Sequence, residues 1–271
     1  MSKSTIKNHI AATLIAASLL TSASCHREYI RENIEGCTIA VSDASTKSCR
    51  KEISELLEKG KRAVDSIKSP IIGEAAIRMT VEPPQSELMN FAADALRNEA
   101  ALYTKEKIDI AITNKGGLRS EIHAGEITYG DIYNVFPFEN TLITITLNGE
   151  QLRQLFDEIA KAGGEAVSGV EMVISDYPNN PHCEELRVGN DHLSKENESL
   201  IKKEYRIATS DYLAQGNDGL KTLAQGYNKR EHNITLRDLM IRHISRLYKQ
   251  GKSISAQRDG RVKTIASTTK E

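Results

Sequence analysis

The 271-residue sequence contains no tryptophan, and aromatic residues make up only 5% of it. Each ring that falls in a loop is therefore informative. Charge of neither sign is in excess: the formal net charge is -1, so no basic field exists to hold a nucleic-acid backbone. The first apolar run, Ile10 to Leu20, is about half the length of roughly twenty residues that a membrane-spanning helix needs. The four cysteines form no CxxC and no cluster with histidine, which argues against a structural zinc site. His123, His182, His192 and His232 lie in polar segments without a second histidine at ligand spacing. No GxSxG nucleophile elbow occurs, and no catalytic constellation is visible. What is present, 39% hydrophobic and 27% charged residues, is the balance of a folded core with a solvated surface.

The start of the chain has the layout of an export signal. Lys3 and Lys7 precede Ile10–Leu20, and Ser22, Ala23 and Ser24 run up to Cys25. A cysteine directly after small residues resembles the lipobox of bacterial lipoproteins, whose thiol is acylated, although Ser22 stands where Leu is usual. An ordinary signal peptide cut before Cys25 is the alternative. The expectation carried forward is a lipoprotein-type signal over residues 1–24 and a lipid on Cys25. The protein is then exported and held at a membrane of the cell envelope. Export also permits a disulfide, for which Cys37 and Cys49 are the nearest pair.

Residues 25–70 are polar and charge-rich, and read as a tether with one helix from Glu52 through Val64. From residue 71 to residue 265 the patterning tightens into a domain. Leu88, Phe91, Ala92, Ala95 and Leu96 have the spacing of a helix buried on one face, over Glu87–Tyr103. Ile108, Ile110 and Ile112 alternate as a strand does, as do Ile143, Ile145 and Leu147. After Asn148-Gly149 a helix carries Leu152, Leu155, Phe156 and Ile159, closed by Gly163-Gly164. Val170, Met172 and Ile174 alternate, and so do Tyr205, Ile207 and Thr209. A last helix runs from Thr235 to about Lys249, capped by Thr235 with Asp238 and stopped by Gly251. His243 lies on its apolar face, as a hydrogen-bonded core histidine would. Strands are not regularly separated by helices, so the fold class is α+β, a mixed β-sheet with packed helices. Residues 266–271 read as a frayed tail.

Three segments place unusual residues at strand ends. Asn114-Lys115-Gly116-Gly117-Leu118-Arg119 follows the first strand, where glycines let the backbone approach a ligand and Arg119 offers a planar fork for an anion. A surface turn with a solvated Arg is the simpler explanation of that segment alone. In Phe136-Pro137-Phe138-Glu139-Asn140 the proline fixes the backbone just before Phe138. In Thr209–Gly219, Tyr212 precedes an acidic, turn-rich loop. Two rings on separate loops could hold a flat heterocycle by stacking, or could simply cap the end of the sheet.

Taken together, SELMNFAADAL, DIAITNKGGLRSEI, GEITYGDIYNVFPFENTL, Ser168-Gly169 and YRIATSDYLAQGNDG resemble the C-terminal domain of the 5′-nucleotidases, in that family's order. This family includes periplasmic UDP-sugar hydrolase and ecto-5′-nucleotidase. The resemblance implies that Asn114, Gly117 and Arg119 contact substrate, with Arg119 at the phosphate or ribose side. It makes Phe138 the first stacking aromatic and Tyr212 the second, where Phe is usual. Asp218 matches the acid that accepts from ribose hydroxyls, and Asn140 a base-edge contact. Two departures stand out. Glu82-Pro83-Pro84-Gln85 replaces a stretch that often carries a further Arg. The Asp-x-His, Gly-Asn-His and His-x-His motifs that hold two metals in the family's metallophosphoesterase domain do not occur. The expectation is therefore the nucleotide- or nucleoside-binding half of a split 5′-nucleotidase, with no cofactor of its own. Divalent metals would sit on a separately encoded metallophosphoesterase. A lipoprotein that captures nucleotides without hydrolysis is the alternative.

Overall fold

The computed structural model describes residues 51–194 and 197–266. The export signal, Cys25 and the Cys37–Cys49 pair lie outside the described residues. From Glu55 onward the described residues form one compact unit. In chain order the elements begin α1 (Lys51–Lys68), β1 (Ile71–Ala75), α2 (Glu87–Thr104), β2 (Ile110–Thr113), β3 (Gly125–Thr128), α3 (Tyr129–Val135) and β4 (Thr141–Asn148). They continue α4 (Gly149–Lys161), β5 (Ala166–Ser168), β6 (Val170–Tyr177), β7 (His182–Val188), β8 (Asp191–His192) and α5 (Glu198–Ile201). Last come β9 (Glu204–Ser210), β10 (Tyr227–Thr235), α6 (Leu236–Lys249) and β11 (Val262–Ala266).

Most sequence-based boundaries stand within a few residues. The first helix runs to Lys68 rather than Val64, and β2 starts at Ile110, two residues later than the Ile108–Ile112 alternation implied. Ala266, placed in a frayed tail by its composition, closes β11, which is parallel to β6. The strands fall into three sheets: β1-β3, a central β10-β4-β9-β2-β5, and β11-β6-β7-β8. The result is an α+β fold with mixed sheets.

Apart from its edge strand β10, the central sheet is largely buried on both faces, and the strand sequences show why. In β2, Ala111 belongs to one apolar cluster with α2 and α6, while Ile110 and Ile112 belong to a second with α4, β6 and β7. In β4, Leu142 faces the first cluster, and Ile143, Ile145 and Leu147 face the second. Helix α2 starts where the Ser86 side chain accepts from the Met89 amide, satisfying a donor that would otherwise be orphaned. Reciprocal capping boxes start α3 at Thr128/Asp131 and α4 at Asn148/Gln151.

His243 has the structural role that its position on α6 implied. It is nearly buried, with Nδ1 2.9 Å from Glu99 Oε1. Burial opposes the Glu99 charge, but hydrogen bonds from His243 and Arg246 outweigh it and hold the carboxyl below its ordinary range. Cys183 on β7 is buried too. Desolvation, with Asp157 adding to it, pushes its thiol up to about 12. The thiolate is the reactive form. The peptide carrying Cys183 should therefore stay unmodified by iodoacetamide in native protein near pH 8 and react fully in denaturant. Rapid native labelling, read by mass spectrometry, would contradict this packing.

Candidate functional site

Strand directions bring distant segments to one edge of the central sheet. β2 and β9 are parallel, so Asn114, after β2, and Tyr212, after β9, emerge at the same end. β4 runs antiparallel to β9, with Leu142 opposite Ser210, so Phe138 and Asn140 enter from that end. β10 is antiparallel to β4, with Thr235 opposite Thr141, and delivers the start of α6 there as well. β5 opposes β2, with Ala166 opposite Thr113, which adds Glu165. Open sheets of this kind offer a crevice outside the strand ends, where backbone groups are free and loops converge.

At this edge Asp218 is the hub. Asn114 Nδ2 donates to its Oδ2 at 2.8 Å, and the Tyr212 hydroxyl donates to its Oδ1 at 2.7 Å. That bond holds the Tyr212 phenol above its ordinary range. Asp218 sits in the left-handed region (φ 54°, ψ 25°), which Asp tolerates better than most residues. Its carboxylate can accept about four hydrogen bonds and here uses two, so acceptor capacity remains. Asn217 Nδ2 donates to the Tyr212 carbonyl at 2.8 Å, closing the loop on itself.

Asn114, Gly117, Phe138 and Asn140 line one cleft together with Phe136 and Arg237. At Gly117 a Cβ would lie 2.7 Å from Asn114 Oδ1, so glycine is what leaves Asn114 in position. Phe138 is 49% exposed and Tyr212 38%, although the adjoining ends of β4 and β9 are buried at Leu142 and Ser210. Neither ring takes part in an aromatic pair among the described residues. Six of the seven sequence-predicted residues are thus joined by hydrogen bonds or by a shared cleft. Arg119 is the exception. Its amide donates to the Val135 carbonyl at 2.9 Å, and its exposed guanidinium makes one long bond, 3.4 Å, to the Gly116 carbonyl.

Sequence reading missed the residues that brace these loops. Lys115 donates from Nζ to Ala162 O, Gly164 O and Glu165 Oε1, each at 2.8 Å, while its amide donates to Glu165 Oε2 at 2.6 Å. Burial raises the Glu165 carboxyl above its ordinary range despite these bonds. The Asp211 carboxylate accepts from the Thr141 amide at 3.0 Å, and the Asp211 amide donates back to the Thr141 carbonyl at 3.0 Å. This pair ties the two ring-bearing loops together. Only the polar run Ser210-Asp211 signalled it locally.

A family model for "5'-nucleotidase, C-terminal domain" matches residues 66–225, which span all seven of these site residues. The chain belongs to this family. Among curated relatives it is 26% identical over 232 residues to the trifunctional nucleotide phosphoesterase protein YfkN of Bacillus subtilis, covering 81% of this chain and 16% of that protein. It is 28% identical over 156 residues to the NAD 5'-nucleotidase of Haemophilus influenzae, covering 54% of this chain and 25% of that one. The fold is that of a solved 5'-nucleotidase precursor from Thermus thermophilus (TM-score 0.66, 24% identity), over 79% of this chain and 43% of that one. It is also that of the NAD nucleotidase of Haemophilus influenzae (TM-score 0.61, 20% identity), over 88% of this chain and 48% of that one. The chain thus spans a quarter or less of these curated relatives and less than half of these solved structures. Among the described residues, no group of three or more His, Cys, Asp and Glu side chains is placed to hold a metal.

Proposed function

We propose that this chain is the nucleotide- or nucleoside-binding half of a split 5′-nucleotidase-type phosphohydrolase. The observation that carries the reading is the hydrogen-bonded Asn114–Asp218–Tyr212 chain beside the Phe138/Asn140 cleft. Phe138 and Tyr212 present π-faces for a base, and the free acceptor sites of Asp218 suit vicinal ribose hydroxyls through charge-assisted bonds. Asn140 meets the base edge, and Asn114, Gly117 and Arg119 reach toward the ribose or phosphate.

Phosphate-ester hydrolysis in this family's manner needs two metals that activate water and stabilise both oxygens of the displacement. Among the described residues the donor sets do not fit that pair, so no hydrolytic step is assigned to them. A separately encoded metallophosphoesterase supplies the metals, and the two chains act together in nucleotide catabolism. The protein is exported and anchored in the cell envelope through a lipid on Cys25. Loss of membrane fractionation in Cys25→Ser, with the lipid mass absent from the N-terminal peptide, tests the anchor.

The test of the split enzyme is phosphate release from AMP. With Mn²⁺, Co²⁺ or Zn²⁺ alone, the purified chain should give no measurable turnover. Loss of two-metal activation removes many powers of ten in rate. Adding a metallophosphoesterase encoded in a neighbouring reading frame should restore release. Robust metal-dependent release by the isolated chain would overturn the division of labour.

A further inference from the structure

The arc that carries Phe138 is held from behind by the first turn of α6. Arg237 is only 3% exposed, yet it is a full cation. Its Nη1 donates to the Phe136 carbonyl at 3.1 Å, and its Nη2 pairs with Glu139. The guanidinium carbon lies 3.8 Å from the centroid of the Tyr133 ring. One residue earlier, the Leu236 amide donates to the Asn140 carbonyl at 2.9 Å. Phe138 therefore sits in the middle of a five-residue arc fastened at Phe136, Glu139 and Asn140, while its own ring is half exposed and has no aromatic partner.

Plain stability is a poor account of this arrangement. Burying a guanidinium is unfavourable unless its donors are met, and Arg237 Nε has no hydrogen-bond partner among the described residues. An apolar side chain of similar volume would pack the same space without that penalty. What the planar fork adds is direction: two donors fixed relative to each other, and a flat face stacked on Tyr133. An exposed ring on an unbraced loop would lose orientational entropy each time it stacked on a ligand, and bracing removes that loss in advance.

We propose that Arg237 is a positioning residue for the base-binding cleft. It lines the cleft, but its Nη donors are engaged by Phe136 and Glu139, and through them it sets the direction of the Phe138 ring. The inference rests on the reading of Phe138 as the stacking aromatic.

Because the natural sequence has no tryptophan, Phe138→Trp supplies a single reporter at the ring itself. In that background two quantities are read: the steady-state anisotropy of the indole without ligand, and its quenching by adenosine. Arg237→Met, which keeps the length and removes the fork, should lower the anisotropy and weaken adenosine about tenfold, the scale of one lost stack. Arg237→Lys should not restore either quantity, since an ammonium cannot reproduce the fork. Should Arg237→Met fail to fold, Glu139→Gln removes one anchor from an exposed position and should shift both readouts in the same direction, less far. Unchanged anisotropy and quenching in Arg237→Met, or in Glu139→Gln where Met does not fold, overturn the positioning role while the base site stands. Absence of adenosine quenching in Phe138→Trp itself overturns the base site, and this inference with it.

Discussion

Replacing Gly169 by Ala should destabilise the protein by roughly 3–5 kcal/mol, a loss at the high end for a single methyl group. Two causes add. Gly169 has φ 83°, in the left-handed region, where a Cβ alone costs about 1–2 kcal/mol. A Cβ would also lie 2.0 Å from the Asp109 carbonyl oxygen and 2.6 Å from Arg97 Nη1. The side chain of Arg97 can swing away, but the carbonyl cannot. Asp109 is held by its amide to the Arg206 carbonyl and by its carboxylate to the Arg206 amide, each at 2.9 Å. Relief would require pulling β2 from β9, which are the strands that aim Asn114 and Tyr212. Gly189 is the control: its φ is 58°, and nothing lies within 4 Å of the Cβ position. Gly189→Ala should therefore show only the backbone term, about 1–2 kcal/mol. Thermal unfolding followed by circular dichroism should separate the two variants by about 2 °C or more, at roughly 2–4 °C per kcal/mol for a chain of this size. Equal melting temperatures would mean that β2 and β5 are not packed as described.

The parts of this fold that could be read in advance are those whose burial has one period. Helices α4 and α6 show a clean apolar stripe, and β4 alternates because Ile143, Ile145 and Leu147 enter an apolar cluster while the Thr144 and Thr146 hydroxyls meet Arg206 and His232. The parts that escaped reading have specific causes. β10 is an edge strand in which only Ile234 is buried, so its sequence, YNKREHNIT, shows almost no alternation. In β7 the buried residues are Cys183, Leu186 and Val188, because a register shift opposite Val173/Ile174 resets the phase. Helix α3 carries a glycine in its first turn and spans only seven residues, too few for a helical period to emerge.

The candidate site divides along the same line. Residues that would face a ligand lie in short loops. Asn114, Gly117, Phe138, Asn140, Tyr212 and Asp218 are legible there through the resemblance of those loops to the 5′-nucleotidase C-terminal domain, whereas composition alone left a plain surface turn and sheet-capping rings as alternatives. Residues that brace those loops are not legible. Lys115 meets Glu165 fifty residues away, and Arg237 meets Glu139 98 residues before it. Neither has a local pattern, because the contact exists only once the strand order has brought both ends to one edge. The structure also gives the Tyr212 hydroxyl a use. The family resemblance puts Tyr212 where Phe is usual, and the added hydroxyl donates to Asp218.

That hydroxyl sharpens the expected behaviour of the cleft toward ligands. Phe138→Ala and Tyr212→Ala should each weaken adenosine by about 1–3 kcal/mol, the range for one base stack. Tyr212→Phe keeps the π-face and loses only the bond to Asp218. It should therefore reduce affinity by less than Tyr212→Ala does. Its effect should appear mainly in the sugar, since a freed Asp218 orients its acceptors less well. Asp218→Asn goes further along that axis. Asn is among the side chains most at ease in the left-handed conformation found there, so the fold should survive. The charge-assisted bonds to the ribose hydroxyls would be lost, and the preference for adenosine over deoxyadenosine should shrink toward unity. Arg119→Ala should weaken AMP more than adenosine, because its exposed guanidinium has only the Gly116 carbonyl to leave for a phosphate. Calorimetric titration of each folded variant with adenosine, deoxyadenosine and AMP reads all four patterns. If Phe138→Ala and Tyr212→Ala lower the melting temperature while every ligand binds as before, the rings cap the sheet and the base site lies elsewhere. If the natural protein binds none of the three at millimolar concentration, the cleft is not a nucleoside site on its own.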